Sequence, residues 1–252
     1  MLLTAQRSAV AVTAVGLGAV AAAANMLGGL VITHRDWERR YVRYFLALGA
    51  GFMLGTTLLE MLPESLRLNP ERGPMIVVAG FLLVHLAEHA FIAHFHFGEE
   101  THTGEFAHAH LSYSVLVALS IHAFFDGVAI GSGFLVSPWL GWVIFLAVVM
   151  HKIPEGFTVA SVMLAAGQGA RVAFASAAAV GVASILGVLV MMAYPVGLAY
   201  GLPLSAGATL YVAGTDLLPE VNREPGIRLA LLVFLGVGLL LLLIHLFKGA
   251  PA

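Results

Sequence analysis

The 252-residue sequence contains no cysteine and few charges. The lack of cysteine excludes disulfide bridges, thiolate nucleophiles and thiolate metal sites. Charged residues make up 10% of the chain, whereas an ordinary soluble domain has about 25%. The net charge of −2 provides no large basic field, which argues against nucleic acid as a partner.

Apolar residues are abundant: they make up 60% of the chain, and the mean hydropathy is +0.95. A single domain of this size cannot keep so much apolar surface dispersed in water. A bilayer core requires roughly 20 apolar residues per helix, and eight stretches approach or exceed that length. The sequence therefore predicts an all-α, multi-pass integral membrane protein in which residues 1–252 form one transmembrane domain. The predicted helices cover 8–32, 42–62, 74–96, 111–134, 139–166, 171–194, 203–219 and 227–247.

Helices six and seven are predicted within one long uncharged run, so the boundary between them rests on proline and glycine. We place the break at Tyr194-Pro195-Val196-Gly197 and expect Pro203 to open helix seven.

The distribution of Lys and Arg predicts that both termini lie outside. Lys and Arg favour cytoplasmic loops, and with an outside N-terminus they are more numerous in the loops assigned to the inside. The inside set is Arg35, Arg39, Arg40, Arg43, Arg171, Arg223 and Arg228, and the outside set is Arg7, Arg67, Arg72 and Lys248. A compact chain without long soluble segments suits the inner membrane of a prokaryotic cell. We expect the lipid bilayer to be a partner of the chain. The sequence does not decide whether the chain also forms a homodimer.

The segment 97–110, between predicted helices three and four, is a histidine-rich loop that the orientation places in the cytoplasm. Five histidines lie between His94 and His110. A solvated connector and a loop that collects metal weakly both explain this composition, because scattered imidazoles bind borderline metals loosely.

Two mid-chain motifs carry ionisable side chains inside predicted helices. Helix four contains His122-Ala123-Phe124-Phe125-Asp126-Gly127, and helix five contains His151-Lys152-Ile153-Pro154-Glu155-Gly156. A charge at the centre of a membrane helix costs at least about 2.5–3.5 kcal/mol. Each motif places an imidazole and a carboxylate at i and i+4, on one helical face. Facing each other, the two helices would present two nitrogens and two carboxylates, a donor set that suits a divalent first-row metal. A buried His–carboxylate pair that only tightens the bundle is the alternative, although one pair would be enough for that.

The two motifs together resemble helices four and five of the ZIP (Zrt-, Irt-like protein) family of metal transporters. Eight spans, outside termini and a histidine-bearing third loop also fit that family. The resemblance implies import of Zn²⁺, or of Cd²⁺, Fe²⁺ or Mn²⁺, as the transported substrate, with no prosthetic group and no enzyme activity. It implies that the metal ligands are His122, Asp126, His151, Glu155 and, by a looser match, Met53 of helix two.

Several positions depart from the family pattern. Many members have Asn or Asp second in each motif and hold two metals, whereas this chain has Ala123 and Lys152 there. Predicted helix six contains no acid that would complete a second site. We therefore predict a single metal site in which the Lys152 ammonium takes the electrostatic place of a second ion. Asp126 replaces the more usual Glu, and Phe125 replaces the usual Pro, which puts the coordination geometry in question.

A short repeat and several polar side chains indicate how a path across the membrane would run. Leu62-Pro63-Glu64 in helix two recurs as Leu218-Pro219-Glu220 in helix seven, a placement typical of a 3+2+3 inverted repeat. The lower-ranked pathway candidates are Lys152, Glu60, Glu64, Asp216, Glu220, His85, Glu88 and His89. Interfacial solvation of helix ends and a stabilising polar stripe on helix three explain the same positions without a transport role.

Two other classes of protein compete with a transporter. An intramembrane metal-dependent hydrolase would use a metal-bound water with Glu155 as its base. An electron carrier would hold haem between His122 and His151. We predict divalent metal transport into the cytoplasm, with the hydrolase as the alternative.

Overall fold

The structure is a computed structural model that describes residues 2–34, 39–91, 109–223 and 227–248. Within these ranges the chain is helical and has no β-strand. Eight helices are long and apolar enough to cross a membrane, which confirms the predicted all-α bundle of eight spans. The histidine-rich segment 97–110 lies outside the described residues apart from the backbone of its last two positions, so its role stays a prediction.

We number the spanning helices α1 to α8 in chain order. Two of them, α2 and α7, contain a π-helical turn and are therefore given as three consecutive segments. The bounds are α1 Leu2–His34; α2 Arg39–Thr56, Thr57–Met61 (π) and Leu62–Leu68; α3 Gly73–Phe91; α4 Ala109–Val136; α5 Pro138–Ala165; α6 Ala170–Ala193; α7 Leu198–Tyr211, Val212–Leu217 (π) and Leu218–Asn222; and α8 Ile227–Lys248.

The boundary between α6 and α7 lies where the proline and glycine residues predict it, at a 3₁₀ turn over Pro195–Gly197. However, α7 begins at Leu198 and contains Pro203, rather than beginning at that proline. A proline inside a helix leaves the carbonyl four residues before it without its usual N–H donor. Here the Asn69 side chain donates to that carbonyl, on Ala199, at 3.2 Å, and this explains why the helix continues through the proline.

The helices pack in two groups. Helices α1, α4, α5 and α6 contact one another extensively, while α2 packs on α8 and α3 packs on α7. The groups meet mainly where α2 contacts α5 and where α7 contacts α4. As a result α4 and α5, which carry the two ionisable motifs, lie at the centre of the bundle.

Close approaches of glycine to backbone carbonyls hold both groups together. At eight glycines an added Cβ would collide with a carbonyl oxygen of a neighbouring helix, and four of them illustrate the pattern. The pairs are Gly127–Ser184 and Gly156–Asn25 around α4 and α5, and Gly51–Val233 and Gly207–Val77 among the other helices. The first contact joins α4 to α6, and the second joins α5 to α1. They correspond to each other if α4 is equivalent to α5 and α6 is equivalent to α1. In the other two contacts, Gly51 of α2 corresponds to Gly207 of α7, and Val77 of α3 corresponds to Val233 of α8. The separation in sequence is the same for both correspondences. These matched contacts support the inverted repeat, which stays a proposal.

Replacement of Gly156 by alanine is expected to destabilise the bundle. The added methyl group would overlap the Asn25 carbonyl, and a backbone atom inside a helix cannot move aside cheaply. Overpacking of this kind costs typically about 1–3 kcal/mol, occasionally more. Thermal unfolding in detergent should show a lower midpoint for Gly156→Ala. The matched control is Gly16→Ala, because a Cβ at Gly16 meets nothing within 4 Å. Equal midpoints for the two variants would contradict this packing argument.

Candidate metal centre

Helices α4 and α5 bring four ligand-type side chains into one buried cluster. His122, Asp126, His151 and Glu155 each offer one donor atom, and the four atoms all lie within 4.8 Å of one another. The Nε2 atoms of His122 and His151 are both 3.2 Å from Oδ2 of Asp126. The same two nitrogens lie 3.8 and 3.7 Å from Oε2 of Glu155. The predicted facing of the two motifs is therefore what the structure shows.

The orientation of His151 is fixed by the backbone of its own helix. Its Nδ1 lies 3.0 Å from the carbonyl oxygen of Ala147. A carbonyl oxygen only accepts, so Nδ1 is assigned the donor role. The other ring nitrogen, Nε2, faces the cluster and lies within hydrogen-bond distance of Oδ2 of Asp126, at 3.2 Å. This is how proteins commonly hold an imidazole that binds a metal through its other nitrogen.

Lys152 occupies the space between the two carboxylates. Its Nζ lies 2.7 Å from Oδ2 of Asp126 and 2.6 Å from Oε2 of Glu155. The lysine is fully buried, so the ammonium is paired inside the protein rather than in water. With neutral imidazoles, one of the two carboxylate charges in the cluster is balanced and the other is not.

Several atoms of the cluster remain without a hydrogen bond. Oδ1 of Asp126, Oε1 of Glu155 and both ring nitrogens of His122 are buried, and none has a hydrogen-bond partner among the described residues. Buried polar atoms in native proteins are rarely left unsatisfied. A pair that served only to tighten the bundle would use these atoms, whereas a cation site needs them available. The donor chemistry therefore fits a divalent cation better than a purely structural pair.

Met53 lies on α2, fully buried in the apolar cluster that also contains Phe125 and Ala147. Phe125 precedes Asp126 in the chain, and the Ala147 carbonyl faces His151. Met53 is thus part of the apolar packing in which α2, α4 and α5 take part. Ligation through its sulfur stays a prediction.

The acidic residues at the end of α2 are not simply solvated. Glu60 is buried and accepts a hydrogen bond at 3.2 Å from Nε1 of Trp139, at the start of α5. Glu64 pairs with Arg67 one turn on. A cavity of about 200 Å³ lies beside these groups.

The corresponding end of α7 carries a similar arrangement. Glu220 is buried and pairs with Arg223 at 3.2 Å. Asp216 accepts a hydrogen bond at 3.1 Å from the hydroxyl group of Thr215. Acids and an ion pair thus recur at matched positions of α2 and α7.

The three polar residues of α3 gather around Tyr211 of α7, apart from the four-residue cluster. The Tyr211 hydroxyl donates to Glu88 at 2.9 Å. The His85 ring lies 4.0 Å from the His89 ring and 5.7 Å from the Tyr211 ring, measured between centroids. The sequence singled out His85, Glu88 and His89 but missed Tyr211, as it missed Trp139, because no local spacing links residues so distant in the chain.

The sequence comparison decides the family. Residues 98–244, more than half of the chain, match the profile of the ZIP zinc transporters. The chain belongs to the ZIP zinc transporter family. The match spans the histidine and carboxylate residues of both α4 and α5, so the resemblance drawn from the two motifs is confirmed.

Two relatives of this ZIP chain are similar at low identity. Zinc transporter zipt-7.1 of Caenorhabditis briggsae is 25% identical over 245 aligned residues, which cover 72% of this chain and 62% of the relative. An uncharacterised protein of Methanocaldococcus jannaschii is 24% identical over 135 residues, which cover 53% of this chain and 55% of the relative. The chain therefore spans less than two thirds of the length of either relative.

The two competing classes fit this cluster poorly. Oδ2 of Asp126 lies 3.2 Å from both histidine Nε2 atoms, so a carboxylate lies next to the nitrogens that would have to bind a haem iron. The hydrolase is not favoured either, because the Lys152 ammonium holds the carboxylate of Glu155 that would serve as the base.

Proposed function

We propose that this ZIP family member transports divalent metal cations, with Zn²⁺ the first substrate to test, into the cytoplasm. The observation that carries the proposal is the buried cluster of two imidazoles and two carboxylates on neighbouring spanning helices. Imidazole and carboxylate donors suit Zn²⁺, and they also accept Fe²⁺, Mn²⁺ and Cd²⁺. The relative that is named a zinc transporter supports the choice of Zn²⁺. The proposed activity is transport rather than catalysis.

In this proposal the cluster holds one ion as cargo. His122, Asp126, His151 and Glu155 are the ligands, and the oxygens without hydrogen bonds are available to the metal. An arriving dication repels the Lys152 ammonium and competes with it for both carboxylates. A second dication in the same small volume would face both the first ion and the lysine, so the expected stoichiometry is one.

We place the movement at the boundary between the two helix groups. Helices α1, α4, α5 and α6 move as one unit past α2, α3, α7 and α8. Glycine–carbonyl contacts join the helices of the first group and the pairs α2–α8 and α3–α7 of the second, and α2 also contacts α7. With both termini outside, cations enter past Glu60 and Glu64 and leave past the polar groups of α3 and α7. The exit set is His85, Glu88, His89, Asp216 and Glu220. The proposed location is the inner membrane of the cell.

Uptake of radiolabelled Zn²⁺ into proteoliposomes tests the function. We expect saturable uptake that excess unlabelled Zn²⁺ suppresses, compared with protein-free liposomes prepared in parallel. Stoichiometric Zn²⁺ binding without any uptake would overturn the transport proposal and return the hydrolase to consideration.

Replacement of Met53 by leucine tests the thioether ligand. Leucine keeps most of the buried volume but removes the sulfur, and soft sulfur donors favour soft ions over hard ones. If Met53 binds the cargo, Met53→Leu raises KM for Cd²⁺ uptake and leaves KM for Mn²⁺ nearly unchanged. The matched control is Met163→Leu, another fully buried methionine, on α5. Equal effects on both ions, or on both variants, would assign Met53 to packing alone.

A further inference from the structure

The end of α2 meets the turn between α4 and α5 at a small polar cavity. It has a volume of about 200 Å³, and its polar lining comes from Glu60, Glu64, Arg67, Ser137 and Trp139. Its walls belong to both helix groups, since α2 lies in one group and α4 and α5 lie in the other. In the predicted orientation this end of the bundle faces the outside.

Trp139 joins the two groups at this cavity. Its indole N–H donates to Oε2 of Glu60 on α2 at 3.2 Å. Its ring also packs against Phe247 of α8, with centroids 5.9 Å apart. Both partners belong to the group that α5 moves against in the proposed transport cycle. A side chain held from two sides across this boundary resists relative motion of the groups.

The start of α5 holds Trp139 in place. Ser137 caps the helix, because its hydroxyl oxygen accepts from the backbone N–H of Leu140 at 3.2 Å. Pro138 occupies the first helical position, where its fixed φ suits the helix. The backbone on both sides of Trp139 is therefore constrained, and a shift of α5 moves the indole with it.

The α2 residues at the cavity belong to an irregular part of the helix. Glu60 lies in the π-helical turn that starts at Thr57, and the Thr57 hydroxyl donates to the carbonyl of Met53 at 2.8 Å. π-helical turns are rare and frequently mark functional positions. Glu60 is only 7% exposed, so its carboxylate is held inside the protein at this end of the bundle.

We propose that Trp139 is the gate residue at this end of the cation path. Its hydrogen bond to Glu60 keeps the two helix groups together and occupies the carboxylate. Release of the bond opens the cavity and presents Glu60 to an incoming hydrated divalent cation. The proposal rests on the proposed transport function, and it assigns a role to a residue outside the four-residue metal cluster.

Cysteine labelling in nanodiscs tests the gate without requiring transport. The chain has no native cysteine, so Leu140→Cys gives a single reporter in the cavity wall, where Leu140 is 3% exposed. A charged, water-soluble thiol reagent should label this reporter slowly. Adding Trp139→Phe, which keeps an aromatic ring but removes the N–H, should raise the labelling rate at least about tenfold, as expected for loss of a hydrogen bond to a carboxylate. Trp142→Phe is the matched control, because Trp142 packs on Phe134 and Phe145 instead.

Variants of Glu60 separate the gate from a general loosening of the fold. Glu60→Gln retains an oxygen that accepts from the indole, so labelling should stay slow, whereas Glu60→Leu should label fast. If Leu140→Cys does not fold, Val136→Cys in the same cavity wall replaces it. Equal labelling rates with and without Trp139→Phe, or with both Glu60 variants, would overturn the gate. The expected labelling changes without Zn²⁺ uptake would instead overturn the transport function and leave Trp139 as the contact that closes this cavity.

Discussion

Replacing His151 and Glu155 by alanine, singly or together, should abolish saturable Zn²⁺ uptake. Each change removes one of the four donor side chains that make up the cluster among the described residues. Loss of a residue that merely supports a ligand costs about 10–100-fold in metal affinity or activity, and loss of a ligand should cost more. We therefore expect uptake efficiency, normalised to the amount of protein, to fall by at least about 100-fold.

The controls for this experiment separate ligation from folding. Glu155→Gln keeps the size of the side chain and an oxygen that accepts from Lys152, yet it removes the charge that binds the metal. Uptake should be lost while the unfolding midpoint stays near that of the wild type. His245→Ala changes an exposed histidine on α8, outside the cluster, and should transport normally. Wild-type rates in His151→Ala or Glu155→Ala would refute the proposed site.

Replacing Lys152 by methionine should destabilise the metal-free protein and tighten metal binding. The ammonium contacts both carboxylates, and removing one partner of a buried ion pair costs about 3–5 kcal/mol because the remaining charges lose their compensation. A dication restores that compensation. We expect a lower thermal midpoint in chelator and a larger upward shift on adding Zn²⁺ than the wild type shows.

Thermal unfolding with and without Zn²⁺, combined with metal analysis of the purified protein, measures both effects. A ligand at 100 times its Kd contributes about 2.7 kcal/mol to the folded state, enough to recover most of the lost stability. The wild type should hold close to one ion per chain. Two tightly held ions in the wild type would show that Lys152 does not replace a second metal. Unchanged stability of Lys152→Met in chelator would show that the ammonium contributes no compensation.

The sequence predicts the parts of this molecule whose energetics are local. A charge inside an apolar helix is costly wherever the helix packs, so the motifs of α4 and α5 stand out before any fold is known. Their i, i+4 spacing also fixes which face each imidazole shares with its carboxylate. The eight spans are predictable as well, because the length and hydropathy of each helix are properties of its own segment of the chain.

Features that depend on partners from distant helices were not predictable. Pro203 locally indicates the start of a helix, whereas in the fold the Asn69 side chain, far away in the chain, donates to the carbonyl that the proline leaves unpaired. Trp139 is typical of an interfacial aromatic residue until the fold places Glu60 beside it. The contact of Tyr211 with Glu88 likewise belongs to the packing of α7 on α3.

In the proposed transport cycle, the ammonium between the two carboxylates also sets how much electrical charge moves with the ion. With neutral imidazoles and one cargo dication, the loaded centre bears one net positive charge, and the empty centre bears one net negative charge. An inside-negative membrane voltage then favours both strokes, since it draws the loaded centre inwards and the empty centre outwards. Moving one elementary charge through 100 mV is worth about 2.3 kcal/mol. Without the lysine, the loaded stroke would be electrically silent and the whole effect of voltage would fall on the return of the empty carrier.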